Sequence, residues 1–152
     1  MSAVATQTDQ VYTVFVRATP EQVWAAITEP EFTTKYFYGT VIDSTFEAGA
    51  PYLGLTSDRS QTMVEGEILE ADPPRLLRHT WKTRWDEAAA GEPASRVSWE
   101  IEPQENGTTK LTVIHDQLDA SPMTAAGVAD GWAYVLSGLK TLLETGEPLA
   151  SS

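Results

Sequence analysis

His79 and His115 are the side chains of this 152-residue chain whose ordinary pKa lies closest to neutrality, and no cysteine accompanies them. Each falls on one phase of an alternating run. Leu77, His79, Trp81, Thr83 and Trp85 share a face in the first, and Leu111, Val113 and His115 share a face in the second. With the run carrying Val97, Trp99 and Ile101 between them, both imidazoles face the same concave space. Three chemistries are open to them there: polar anchors for a ligand, an acid–base pair near neutral pH, or core-edge groups bonded to their neighbours. The rule that buried polar groups find partners favours the last of these. No metal site is expected, because Asp43, Glu65, Glu67 and Asp116 stand at no spacing that would complete a ligand set with two histidines.

Aromatic side chains form the second candidate set. Trp81, Trp85 and Trp99 share the inward phase, and Trp132 begins the apolar stripe of the last helical run. Large flat rings with one N–H donor suit walls that hold apolar ligands carrying a few polar atoms. Simple core filling is the competing reading, and it is the one adopted for Trp24, set among apolar neighbours in a helix. Tyr36 and Tyr38 flank Phe37 and would stand at a mouth. Glu65 and Glu67 share a face opposite Val64 and Ile68, so they are expected to be exposed. Neither a G-x-S-x-G elbow nor a phosphate-binding glycine loop occurs, so acyl-enzyme chemistry and nucleotide binding have no support. No catalytic residue is assigned and no cofactor is expected.

The elements that must position these groups follow from periodicity. A strand is predicted over Val11 to Ala18. Thr19-Pro20-Glu21-Gln22 then reads as a capping box with an N1 proline, opening a helix that stops near Thr28. Pro30 starts a second short helix ending in the aromatic run. Thr40 to Glu47 and Tyr52 to Thr56 read as a hairpin, followed by a strand over Thr62 to Ala71 and the reversal Asp72-Pro73-Pro74. Asp86 to Ala94 is predicted to be a mobile loop. For the last hairpin, a three-residue loop Glu105-Asn106-Gly107 with Gly107 left-handed places Ile101 opposite Leu111, Trp99 opposite Val113 and Val97 opposite His115. Ser121-Pro122 offers a cap for the final helix, although Gly127 and Gly131 leave its start open between there and Ala129. Val128, Trp132, Val135, Leu139 and Leu142 form its stripe. Gly127, Gly131 and Gly138 flank that stripe, each costing about 0.8 to 1 kcal/mol relative to alanine, which points to close backbone approach or to space left open.

The pieces TPEQVWAAITEPEFTTKYFYG, VEGEILEADPPRLLRHTW and DGWAYVLSGLKTLLETG resemble the SRPBCC (START-like) superfamily, and within it the branch named for activators of the Hsp90 ATPase. The expected fold is α+β: a helix-grip in which a curved antiparallel sheet of six to seven strands wraps a long C-terminal helix, with two short helices after the first strand. The resemblance implies a cavity between helix and sheet, and a link to stress response. Residues 11–146 are expected to form one domain, with a disordered segment at 1–10 and a tail at 147–152. Two-domain co-chaperone activators carry a separate N-terminal chaperone-binding domain, which ten polar residues do not supply.

Charge sets the remaining bounds. A net charge of −12 disfavours nucleic acid and anionic membrane surfaces as partners. No run approaches the roughly 18 apolar residues of a membrane span, and the N-terminus lacks the basic and apolar regions of a signal peptide, so a cytoplasmic location is expected. The expected function is binding of a small hydrophobic or aromatic molecule, with His79, Trp81, Trp99, His115, Trp132, Tyr36, Tyr38 and Trp85 lining the cavity. The alternatives are a stand-alone chaperone-activator-like protein that docks a partner, or an enzyme using His79 or His115 as acid or base on an aromatic substrate.

Overall fold

The computed structural model describes residues 9–150. β1 (Gln10–Val16) is followed by α1 (Pro20–Thr28) and α2 (Pro30–Tyr36), then β2 (Val41–Asp43), β3 (Pro51–Leu55), β4 (Thr62–Asp72) and β5 (Leu76–Thr83). A short α3 (Glu87–Ala90) precedes β6 (Ser95–Pro103) and β7 (Thr109–Asp116), and α4 (Pro122–Thr145) closes the chain. The strands form one antiparallel sheet in the order β1-β7-β6-β5-β4-β3-β2. This is the α+β helix-grip architecture.

Local chemistry accounts for the boundaries. Thr19 and Gln22 make the reciprocal capping box that starts α1. The β6–β7 register pairs Ile101 with Leu111, Trp99 with Val113 and Val97 with His115, and Gly107 turns at φ 87°. Gly146, at φ 81°, ends α4 with its N–H on the Leu142 carbonyl. Along α4, Val128, Trp132, Val135, Leu136, Leu139 and Leu142 are buried against the sheet, as the stripe predicts.

Several expectations are corrected. β1 stops at Val16 because the Ala18 N–H turns back onto the Val16 carbonyl. β2 runs only to Asp43, since Phe46 sits at φ 59° and donates its N–H to the Ser44 hydroxyl, which takes the chain out of the sheet. Of the N-terminal segment, residues 1–8 lie outside the described residues, but Gln10 opens β1 and its side-chain amide donates to the Ala125 carbonyl. The stretch expected to be a mobile loop is instead tied down: the Asp86 carboxylate caps α3 at the Ala89 N–H, and Ala89 is buried. Within it, Glu92 reaches the start of α4, accepting from the Met123 N–H, the Thr124 N–H and the Thr124 hydroxyl. That carboxylate does the capping expected of Ser121, whose hydroxyl donates to the Pro93 carbonyl instead. A carboxylate at this end also meets the positive end of the helix dipole, which fixes the start of α4 at Pro122.

Candidate functional site

α4 is fastened along β1. The Tyr12 hydroxyl donates to the Ala129 carbonyl at 2.5 Å, Lys140 Nζ donates to the Phe15 carbonyl at 2.6 Å, and the Arg17 N–H donates to the Glu144 carboxylate at 2.7 Å. Held at that edge, the first half of the helix stands clear of the strands at the other edge. A cavity of about 680 Å³ occupies the gap, within the size range of small-molecule sites.

Trp81 from β5 and Trp132 from α4 meet at 5.5 Å between ring centroids and give the cavity an aromatic floor. Trp85, two residues past the end of β5, stands edge-on to Trp81 at 6.2 Å. β5 ends at Thr83, so Trp85 is not an inward strand residue as the alternation suggests; it is 44% exposed and stands at the rim. Met63, Val64, Thr40 and Thr56 make the opposite wall. Tyr38 covers one side of the mouth: at φ 54°, followed by Gly39 at φ 70°, it leaves α2 in a turn that lays its ring on Tyr134 at 5.5 Å, nearly parallel.

The glycine flank of α4 divides between its two expected roles. A Cβ on Gly138 would stand 3.0 Å from Tyr36 Cβ, so that position is a close helix-to-helix approach. Gly127 and Gly131 border the cavity instead, and a Cβ on Gly131 would meet nothing nearer than the Tyr38 hydroxyl at 3.7 Å.

Both histidines lie behind this wall, fully buried. An indole N–H can only donate, which settles the tautomers. Trp99 donates to His79 Nε2 at 3.1 Å, so His79 carries its proton on Nδ1 and donates it to the Thr80 carbonyl at 2.8 Å. Trp132 donates to His115 Nδ1 at 3.0 Å, so His115 donates from Nε2 to the Ser95 hydroxyl at 2.7 Å. Burial pushes His79 down to about 4, and burial with the neighbouring His79 pushes His115 down to about 3. Tyr52 stacks on His79 at 3.7 Å, and the Tyr36 hydroxyl donates to the Ala26 carbonyl. Of the eight residues singled out from the sequence, Tyr38, Trp81, Trp85 and Trp132 border the cavity, while Tyr36, His79, Trp99 and His115 form the layer that supports it.

Sequence reasoning did not single out Met63, Thr56 or Asp130 as cavity residues. The signal for Asp130 was its place between Gly127 and Gly131 on the open flank of the helix. Asp130 is, among the described residues, the one charged side chain on the cavity wall. Among the described residues, no set of three or more His, Asp or Glu side chains converges as a metal site requires, and no helix is long and apolar enough to cross a membrane.

Residues 17–144 match the family model described as Activator of Hsp90 ATPase homolog 1-like protein. Among solved structures, CalU16 from Micromonospora echinospora is similar at 24% identity and a TM-score of 0.71, over 92% of this chain and 76% of that one. DynU16, a protein of the dynemicin biosynthetic locus, is similar at 23% identity and a TM-score of 0.75, over 94% of this chain and 49% of its own length. An HSP90 activator from Plasmodium falciparum, PFC0360w, is similar at 20% identity and a TM-score of 0.67, over 92% of this chain and 97% of that one. At these identities the likeness establishes the fold. No curated protein sequence matches the chain.

Proposed function

The chain belongs to the Activator of Hsp90 ATPase homolog 1-like family, and from that premise we propose that it binds a small apolar or aromatic molecule between α4 and the far strands of the sheet. The observation that carries this reading is the 680 Å³ cavity floored by Trp81 and Trp132 and bordered by glycines where the helix would otherwise fill it. Burial of apolar surface supplies the driving force, at about 25 cal/mol per Å². Tyr38 and Trp85 stand at the rim, and the two floor indoles are held in fixed orientation, Trp132 by its N–H on His115 and Trp81 by its N–H on the Thr83 hydroxyl. Because every ring nitrogen of His79 and His115 is already engaged, their geometry favours this supporting role over acid–base work. The site is proposed to lie in a cytoplasmic protein whose domain spans residues 11–146.

The test uses 1-pyrenemethanol as a neutral fluorescent probe. Wild type is expected to bind it with energy transfer from tryptophan, and Gly131→Leu to bind it at least about tenfold more weakly, by filling the cavity. Equal binding by wild type and Gly131→Leu overturns the reading.

A second reading, docking of a basic protein partner, is favoured by the excess of 22 acidic over 10 basic residues together with the family membership. Such a complex weakens as salt screens the opposed charges; an association that NaCl leaves unchanged counts against it.

A further inference from the structure

The charge of the cavity wall narrows what it accepts. Trp81, Trp85, Trp132, Met63 and Val64 offer apolar and aromatic surface, and among the described residues no lysine or arginine borders the space. An anionic ligand would surrender water there and gain no counter-charge. The one charged group, Asp130, sits on α4 directly before Gly131, and the Tyr38 hydroxyl lies over Gly131. Tyr38 is stacked on Tyr134, four residues along the helix from Asp130, so two phenol rings and a carboxylate meet at the mouth. The Tyr38 hydroxyl is held above its ordinary pKa by loss of water, then by Tyr134 and by Asp130, in keeping with that proximity. An aromatic face beside a carboxylate is a setting that attracts an organic cation.

We infer that the cavity selects ring-bearing apolar molecules that carry an ammonium group, with the rings against Trp81 and Trp132 and the ammonium at the mouth between the Tyr38 ring and the Asp130 carboxylate. This rests on the cavity being a binding site, and adds the charge of its ligand. A neutral ligand would use the floor and leave the mouth unused; a carboxylate would be repelled by Asp130.

The experiment compares 1-pyrenemethylamine, 1-pyrenemethanol and 1-pyrenecarboxylate on wild type and Asp130→Asn. About 0.15 M NaCl confines the field of the −12 chain to roughly 8 Å. The amine is expected to bind wild type roughly fivefold more tightly than the alcohol, and the carboxylate more weakly than the alcohol. Asp130→Asn is expected to erase the advantage of the amine while leaving the alcohol within about twofold of its wild-type affinity. An amine no tighter than the alcohol, or an advantage that survives in Asp130→Asn, overturns the ammonium assignment and leaves the cavity standing. Failure of all three probes to bind overturns both.

Discussion

His79 and His115 are built to stay neutral. Protonating His79 would put a second N–H against the indole N–H of Trp99, and protonating His115 would do the same against Trp132, so each imidazolium would lose an acceptor and face a donor. The unfolded chain, with histidines near 6.5, takes up those protons before the folded one does, since the folded values lie at about 4 and about 3. Stability from the two rings is therefore complete above about pH 6.5 and is lost as pH falls toward 4 and then 3. Urea unfolding in about 0.5 M NaCl, where surface charge is screened, is expected to show a midpoint that is level above about pH 6.5 and falls from there to about pH 5, before most carboxylates protonate. A midpoint unchanged between those pH values would show that the buried rings are not coupled to folding.

Within α4, the same residue type does two jobs, and paired substitutions separate them. Replacing either glycine with leucine removes a helix penalty of about 0.8 to 1 kcal/mol. At Gly138 that gain is outweighed, because Tyr36 Cβ stands at 3.0 Å and the backbone of the same residue at 3.6 Å, so α2 must move; overpacking of this kind costs roughly 1 to 3 kcal/mol. At Gly131 the new side chain enters the cavity, with only the Tyr38 hydroxyl in ordinary contact. Gly138→Leu is thus expected to lower the melting temperature, whereas Gly131→Leu keeps or raises it and blocks the probe; equal thermal losses at the two positions would mean that the cavity is not open space. At this scale much was legible in advance. The capping box at Thr19, the β6–β7 register and the α4 stripe each follow from local spacing, and each is present. What alternation does not encode is which inward residue meets the cavity and which meets the core: Trp81 and Trp99 share a phase, and only the fastening of α4 along β1 separates them. The cap on α4 was equally hidden, because it comes from Glu92 in another part of the chain. Tyr38 owes its place to a left-handed backbone that a Tyr-Gly pair permits but does not announce.

Taken as one body, the protein carries far more repulsion than attraction between charges. Against a net charge of −12, the ion pairs among the described residues are mostly exposed or half-exposed, as with Arg75–Asp72, Arg78–Glu70 and Arg84–Glu65. Pairs of that kind contribute about 0 to 1 kcal/mol each. Arg96–Asp116 is the exception in geometry, with two bonds at 2.9 and 2.6 Å across β6 and β7, although its guanidinium too is partly exposed. Salt should therefore relieve more repulsion than it removes attraction. Raising NaCl from about 0.02 M to about 0.5 M shortens the screening length from more than 20 Å to under 5 Å, which turns a repulsion felt across the whole molecule into one felt only between neighbours. The expected result is a gain of about 1 kcal/mol, or roughly 2 to 4 °C in melting temperature for a chain of this size. Chloride is the anion of choice, because sulfate would add stability through apolar burial and confound the comparison. A melting temperature that falls over this range would mean that the surface pairs together outweigh the acidic excess, and would place the origin of stability in a charge network rather than in the apolar contacts between α4 and the sheet.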